Sequence, residues 1–217
     1  MLLSPVPTDV REKVLAAARR RLFSKGQVVF HEGDPGDSLY LIQGGRMAIR
    51  VSTDTGLSAT LRIMGPGDAF GELALVRPGA RRLRTATVVA LEPASTLAVS
   101  RVDFAALCAK HPEVERLMVS LLVERIDQLS QRLLESLYVG VDRRVYRRLV
   151  ELAEIYGTGE AGVIVPLTQD DLAGLAGTTR PTVNQVLQKL AALGHVRLNR
   201  GSIEIANVDA LRDRVGR

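Results

Sequence analysis

Two stretches in the first half of the chain combine residue types that can hold a phosphate group. They are Phe70-Gly71-Glu72-Leu73-Ala74 and, after a Pro78-Gly79 turn, Arg84-Thr85-Ala86-Thr87. Glycine at position 71 lets the backbone approach an anion closely, and a helical turn that begins there would direct N–H groups toward it. The Arg84 guanidinium can hold two phosphate oxygens, and the Thr85 hydroxyl can donate to a third position.

Glu72 lies within the same pattern, although a carboxylate does not suit a phosphate by itself. It is unfavourable there unless it accepts a hydrogen from another group, and a ribose 2′-hydroxyl is the natural donor. Together these four groups match a ribose joined to a singly charged phosphate, which is the chemistry of a cyclic nucleotide. Arg81 and Arg82 are alternatives for the phosphate-binding arginine, and Arg84 is preferred because Thr-Ala follows it.

The elements that must position these residues are short strands separated by turns. Glycine, proline and aspartate recur between residues 26 and 79 and separate short apolar runs. Several runs alternate in polarity, which predicts strands at residues 28–30, 39–42, 47–51, 59–64, 85–90 and 96–99. Such strands predict a small antiparallel barrel or sandwich, and the alternative interpretation is a β domain without a ligand.

After residue 100 the apolar period changes from that of a strand to that of a helix. Ser100 and Asp103 form a capping-box pattern, and His111-Pro112 favours the start of a second helix. This helix is predicted to run to about Leu137, about 39 Å, with an apolar seam at Val119, Leu122, Ile126, Leu129, Leu133 and Ser136. The seam predicts a parallel homodimer, with packing against the β domain alone as the alternative.

The last third of the chain predicts two short helices joined by a glycine turn. Thr168 can cap the first helix, and Gly177 ends it. Thr178-Thr179 can cap the second helix, which has Pro181 in its first turn. The second helix exposes polar residues, namely Thr179, Arg180, Thr182, Asn184, Gln185 and Lys189. A hairpin at residues 196–198 and 203–205 follows, so the pattern is typical of a winged helix-turn-helix that binds DNA.

Contact chemistry assigns roles to the polar side chains of this helix and the wing. Arg180 can pair with a guanine edge through two hydrogen bonds, and Gln185 can read adenine. Phosphate contacts, which set the position on the duplex, are predicted for Thr179, Thr182, Lys189 and the wing residue Arg200.

The Gly-Glu-Leu and Arg-Thr-Ala elements resemble the phosphate-binding cassette of cyclic-nucleotide-binding domains. Nearly the whole chain resembles the cyclic-AMP receptor protein and FNR-type (CRP/FNR) family of transcription regulators. The resemblance implies that Glu72 holds the ribose and that Arg84 and Thr85 hold the cyclic phosphate. It also implies that Gly71 and Leu73 shape the loop. The implied partners are double-stranded DNA with a near-palindromic site, a second copy of the chain, and RNA polymerase.

Several positions depart from the family pattern. The family's base-reading Thr-Ser pair corresponds to Leu129 and Ser130, and leucine cannot hydrogen-bond to an exocyclic amine. Either Ser130 reads the base without it, or the effector preference is changed. Arg125, one turn earlier, supports the pocket or is a solvated flank of the helix. Pro181 and Gln185 replace a glutamate and an arginine, which predicts a different DNA target.

Composition narrows the class of protein. The 217 residues, 46% hydrophobic and 24% charged, predict a globular protein with two compact units. No apolar run approaches about 18 residues and the first residues are charged, so we expect a cytoplasmic protein without membrane insertion. A net charge of +5 permits an anionic partner. The single cysteine, Cys108, excludes an intrachain disulfide, and the basic face formed by Arg143, Arg144, Arg147 and Arg148 is interpreted as solvated.

Three rival interpretations stay open at this point. A cupin-like enzyme shares the small β-barrel, but it needs clustered metal ligands, and His31, His111 and His195 fall in three separate elements. An effector-independent regulator of the same family is kept open by Leu129. A haem-sensing relative is the third, although no histidine stands out as an axial ligand.

The sequence therefore predicts an α+β protein in three parts. Residues 1–111 form a cyclic-nucleotide-binding β-barrel of jelly-roll type, residues 112–137 form the dimerisation helix, and residues 138–217 form the winged helix-turn-helix. We expect a homodimeric, non-enzymatic transcription regulator with cyclic AMP as its allosteric effector. No cofactor or metal is expected to be required.

Overall fold

A computed structural model describes residues 7–52, 58–76, 82–157 and 162–216. The chain divides into two compact units, the first made of Met1–Ser58 and Arg62–Leu129, the second of Ala59–Leu61 and Ser130–Arg217. The Pro78-Gly79 turn and Arg81 lie outside the described residues. The three-part division expected from the sequence stays a prediction.

The first unit consists mainly of two antiparallel sheets. Its elements are α1 (Thr8–Ala17), β1 (Arg19–Phe23), β2 (Val28–Phe30), β3 (Ser38–Gly44), β4 (Met47–Ser52), β5 (Ser58–Met64), β6 (Ala69–Phe70), α2 (Leu73–Val76), β7 (Thr87–Ala90), β8 (Ala94–Ser100), α3 (Arg101–Lys110) and α4 (Pro112–Tyr138). Residues 59–61 of β5 and the part of α4 from Ser130 onward belong to the second unit. The strand orders are β1-β8-β3-β6 and β2-β7-β4-β5. Every strand predicted from apolar runs is present, and the two sheets fit the predicted jelly-roll class.

Strand β3 lies between the two apolar clusters of this unit. Leu39 and Leu41 pack in a cluster with residues of α1, α3 and α4. Tyr40 and Ile42 contact the second cluster, which lies between the sheets and contains Phe70. Because successive side chains of a strand point to opposite faces, both faces of β3 are covered. This explains why residues 39–42 of β3 form a continuous run of apolar and aromatic residues that does not alternate with exposed polar ones.

The second unit contains the helices and hairpin of the last third of the chain. Its elements after α4 are α5 (Val141–Tyr156), β9 (Val163–Val165), α6 (Gln169–Ala176), α7 (Arg180–Ala192), β10 (Val196–Asn199), β11 (Ser202–Ile205) and α8 (Val208–Gly216). Thr168 forms a capping box with Asp171, and Gly177 ends α6 with a φ of 60°. The apolar residues Val183, Val186, Leu187 and Leu190 of α7 are buried. The winged helix-turn-helix prediction is therefore confirmed.

Helix α4 has 27 residues and begins at Pro112, as its sequence predicts. Four apolar residues of the predicted seam are more than half exposed: Val119, Ile126, Leu129 and Leu133. Leu122 instead packs partly against the core of the β domain, and the neighbouring Val123 is exposed. Among the described helices, none combines the length and apolar character needed to cross a membrane.

Two local predictions are wrong. Thr179 occupies the N-cap position of α7, but its side chain caps no backbone group. Pro181 has no N–H to offer, and the Thr179 hydroxyl instead lies 2.9 Å from the hydroxyl of Thr182. The basic face of α5 is not simply solvated either. Arg148 is only 4% exposed and pairs with Glu135 on α4, because this face of α5 packs against the end of that helix.

Thr96 in β8 has a buried hydroxyl whose effect on stability can be measured. Its side chain is fully buried, and its hydroxyl has no hydrogen-bond partner in the described part of the chain. An unsatisfied buried hydroxyl costs about 1–3 kcal/mol, so Thr96→Val is expected to stabilise the protein. We expect the thermal midpoint, measured by circular dichroism, to rise by about 2–4 °C.

Thr87→Val is the matched control for this substitution. The Thr87 hydroxyl accepts a hydrogen bond from the Glu32 N–H at 3.0 Å, so the same chemical change should lower the midpoint. A fall for Thr96→Val as large as that for Thr87→Val would mean that the Thr96 hydroxyl is satisfied.

Candidate functional site

Arg84 is held against the turn between β6 and α2. Its Nη1 donates to the carbonyl oxygens of Ser38 and Gly71, at 2.9 and 3.1 Å. The guanidinium carbon lies 4.1 Å from the ring centroid of Phe30, a cation–π distance. Gly71 has a φ of +82°, and a Cβ there would lie 2.6 Å from Arg84 Nη1. Glycine is therefore required both for the backbone conformation and for the close approach of the arginine.

The positive charge of Arg84 is buried, and no carboxylate among the described residues pairs with it. The residue is 5% exposed, and its Nε has no hydrogen-bond partner in the described part of the chain. No Asp or Glu of the described ranges forms an ion pair with it. Burial lowers the pKa of Arg84, and the electrostatic influence of Tyr40, Asp37 and Glu72 acts in the opposite direction. Because a buried unpaired charge is costly, an anion that reached this guanidinium would be strongly stabilised.

Glu72 is buried beside Arg84 and lies near Arg125 of α4. Arg125 Nη2 is 4.0 Å from Glu72 Oε1 and donates to the carbonyl oxygen of Ala69 at 3.1 Å. Burial lowers the pKa of Arg125, the charge of Arg62 lowers it further, and Glu72 acts against both. The side chain of Arg125 is 19% exposed, so the alternative of a solvated helix flank is wrong.

The remaining predicted nucleotide residues are more open. Leu73 is half-buried at the start of α2, and Thr85 is exposed directly after Arg84. Leu129 and Ser130 are exposed on α4, and the division between the two units falls between them. The structure thus brings Gly71, Glu72, Arg84 and Arg125 together. The assignment of Ser130 stays a prediction.

A cleft of about 380 Å³ lies next to Arg125 in the same unit. It is lined on the β side by Arg62 and residues 66–69, and on α4 by Leu117, Ser120, Leu121, Glu124, Arg125 and Gln128. Sequence reasoning missed Arg62 and Gln128. Gln128 directly precedes the exposed Leu129 in the sequence. Gln128 lines the cleft because of how α4 packs, and the sequence does not show this packing.

The exposed face of α7 carries the predicted DNA contacts. Thr179, Arg180, Gln185 and Lys189 are exposed, as is Arg200 in the wing, whereas Thr182 is half-buried. Arg180 lies 3.6 Å from Asp170, and Lys189 lies 3.2 Å from Asp142. These carboxylates were not anticipated from the sequence. Such exposed ion pairs contribute about 0–1 kcal/mol, so DNA phosphates can replace them.

Two family models match the parts of the chain that contain the candidate sites. The model of the cyclic nucleotide-binding domain matches residues 20–111, and that of the Crp-like helix-turn-helix domain matches residues 143–214. A CRP-like cAMP-activated global transcriptional regulator of Mycobacterium tuberculosis is 34% identical over 212 residues, 94% of this chain and 93% of that protein. The cyclic AMP receptor protein of Thermus thermophilus is 33% identical over 211 residues, covering 97% and 93%.

A solved structure has the same architecture. The crystal structure of the Thermus thermophilus catabolite activator protein matches with a TM-score of 0.57 and 32% identity, covering 99% of this chain and 98% of that one. The fold and both sites define a DNA-binding transcription regulator with a cyclic-nucleotide-binding domain. The chain belongs to the CRP/FNR family of transcription regulators.

Membership in this family decides between the regulator and the enzyme interpretations of the sequence. The relatives are transcription regulators, which confirms the prediction of a non-enzymatic protein and sets the cupin-like alternative aside. In the ranges that the structure describes, no three His, Cys, Asp or Glu side chains are grouped as metal ligands would be.

Proposed function

We propose that this protein is a homodimer whose binding to DNA is controlled by cyclic AMP bound in the β domain. The observation that carries the proposal is the buried guanidinium of Arg84, which lies beside Gly71 and has no carboxylate partner in the described residues. A cyclic phosphate carries the single negative charge that would compensate this cation.

Each group of the pocket takes a part of the nucleotide. The Arg84 guanidinium exchanges its carbonyl acceptors on Ser38 and Gly71 for phosphate oxygens. The exposed hydroxyl of Thr85 donates to the same phosphate, and Leu73 shapes the loop around it. Glu72 accepts a hydrogen bond from the ribose 2′-hydroxyl, and Arg125 Nη2 lies 4.0 Å from its Oε1.

The choice of cyclic AMP among cyclic nucleotides is supported by the relatives, which are named as cAMP-activated and as a cyclic AMP receptor protein. Ser130 is the proposed base-reading hydroxyl. Leu129 supports a second candidate, a regulator of the same family that answers to another ligand or to none. Its apolar side chain offers no hydrogen bond to an adenine amine.

The exposed stripe of α4 supports the homodimer. It consists of Val119, Val123, Ile126, Leu129, Leu133 and Leu137, each more than half exposed. Apolar residues spaced by three and four positions along a long helix pack against the same residues of a second copy in a parallel coiled coil. Because α4 also carries Arg125, which lies near Glu72, one helix would join the nucleotide pocket to the dimer contact.

DNA binding is assigned to α7 and the wing. Arg180 reads a guanine and Gln185 an adenine, while Thr179, Thr182, Lys189 and Arg200 hold phosphates. Two recognition helices must lie about 34 Å apart to enter successive major grooves of a near-palindromic site. We propose RNA polymerase as a further partner and the cytoplasm as the place of action. No cofactor beyond the effector is proposed.

Calorimetric titration with cyclic AMP tests the pocket, with cyclic GMP and AMP as comparison ligands. We expect saturable binding of cyclic AMP that weakens at least about tenfold in Arg84→Ala, because charge-assisted hydrogen bonds to the phosphate are lost. Arg82→Ala is the matched control and should bind as the wild type does. Wild-type affinity in Arg84→Ala would contradict the assignment, and no binding of cyclic AMP would favour the second candidate.

The coupling between the two sites is tested by measuring each ligand in the presence of the other. Linkage requires that operator DNA strengthen cyclic AMP binding by the same factor by which cyclic AMP strengthens DNA binding. The operator is a duplex selected from a randomised pool by the wild-type protein. Equal nucleotide affinity with and without this DNA would refute the allosteric part of the proposal and leave DNA binding intact.

Base reading is tested by comparing Arg180→Ala with Lys189→Ala on duplexes that differ at single base pairs. We expect Arg180→Ala to relax the preference at one base pair per half-site by about 1–3 kcal/mol. Lys189→Ala should weaken binding to all duplexes alike and reduce the salt dependence. If Arg180→Ala weakens every duplex equally, Arg180 is a phosphate contact.

A further inference from the structure

Arg144 of α5 contacts the carbonyl ends of two other helices. Its Nη1 donates to the carbonyl oxygens of Ser136 and Val139, at 3.2 and 3.0 Å, where α4 ends. Its Nε and Nη2 donate to the carbonyl oxygens of Ala176 and Gly177, at 3.0 and 3.2 Å, where α6 ends. One guanidinium therefore joins the end of α4 to the turn that precedes the recognition helix α7.

The chemistry of helix ends explains why an arginine suits this position. The last carbonyls of a helix have no partner within it and carry the negative end of its dipole. A guanidinium presents five N–H groups in a fixed plane and can serve two such ends at once. A lysine ammonium has its donors at a single point. Among the described residues no carboxylate pairs with Arg144, so its contacts are all with backbone.

Two neighbouring arginines attach α5 to α4 in a different way. Arg148 is buried and pairs with Glu135 of α4 and, at 2.9 Å, with Glu151 of α5. Arg147 pairs with the other oxygen of Glu135. The end of α4 and the start of α5 are thus held together by several contacts. Of the three arginines, Arg144 is the one whose described contacts also reach α6.

We infer that Arg144 is the positioning residue that sets the orientation of α6 and α7 relative to the end of α4. The inference rests on the proposed function, because it takes α4 as the dimer contact and α7 as the reader of DNA. Without Arg144 each helix-turn-helix keeps its own core, which includes Val183, Leu187 and Leu190. The separation of the two recognition helices in a dimer would then no longer match successive major grooves.

The first test measures whether Arg144 joins the two helix ends. Hydrogen exchange is compared in the wild type, Arg144→Met, Arg144→Lys and the control Arg143→Met. Arg143 is exposed on the same helix, so its substitution removes the same charge without these contacts. We expect faster exchange in segments 135–141 and 174–180 together for both Arg144 variants, and no change in the control. A change at one end only, or at neither, would overturn the inference.

The second test measures the consequence for DNA. The probes are a duplex with two half-sites, selected from a randomised pool by the wild-type protein, and the same duplex with one half-site scrambled. We expect Arg144→Met to bind the two-site duplex at least about tenfold more weakly than Arg143→Met, with single-site binding unchanged, because the gain from simultaneous engagement is lost. An equal loss of affinity for both duplexes would mean that Arg144 stabilises the protein in general and does not position the recognition helix.

The two measurements separate this inference from the proposed function. If the wild-type protein binds both duplexes equally, the proposal that a dimer contacts two half-sites is wrong. The exchange data then still support or overturn the role of Arg144 in joining α4 to α6. Thermal midpoints are measured for all variants to test whether unfolding is the cause of any change. If Arg144→Met is poorly folded, the comparison uses Arg144→Lys, which keeps the charge.

Discussion

The guanidinium of Arg84 is the constraint around which the β domain is organised. It lies between a ring of Phe30 and the carbonyl oxygens of Ser38 and Gly71, so residues from separate strands and turns meet at one cation. Two glycines make room for it, since a Cβ on Gly36 would lie 3.0 Å from its Nε and one on Gly71 2.6 Å from its Nη1. Because such a buried charge is costly, its position supports the proposed anion site.

Helix α4 connects this pocket to the rest of the chain. One side of it is buried in the core of the β domain through Val114, Met118 and Leu121. Arg125, one turn beyond Leu121, lies near Glu72, and an exposed apolar stripe runs along the same helix. A single helix therefore carries residues of the core, residues of the candidate pocket and the apolar stripe that we propose as the dimer contact.

Helix ends recur as the points at which parts of this protein are held. Ser100 and Thr168 cap α3 and α6 through their side chains, and each satisfies a free N–H. Arg144 acts at the opposite, C-terminal ends of helices, where it donates hydrogen bonds to the last carbonyls of α4 and α6. Because these contacts are made with backbone, they position whole helices rather than individual side chains. We therefore infer that the orientation of α7 depends on a cation that lies in α5, outside α7 itself.

Local structure and family could be derived from the sequence alone. Caps, glycine turns and apolar periods act between neighbours in the chain, so they identified most strands, the start of α4 and the inward face of α7. Five of the described elements were not predicted, namely α1, β1, β6, β9 and α8. Strand β1 carries Arg19, Arg20 and Arg21 and has no apolar alternation, because pairing with β8 rather than burial makes it a strand. Helix α1 buries only Val10 and Val14, too few for a clear period.

Tertiary structure alone decided where the charged side chains lie and what they contact. The sequence pattern predicted a phosphate-binding role for Arg84, but it did not predict the burial of this side chain or its hydrogen bond to Ser38, 46 positions away. Arg125 meets Ala69 across 56 positions, and Arg148 is buried although its helix face reads as solvated. The reason is physical: an arginine has the same local sequence signal whether water or a distant backbone carbonyl accepts its hydrogen bonds.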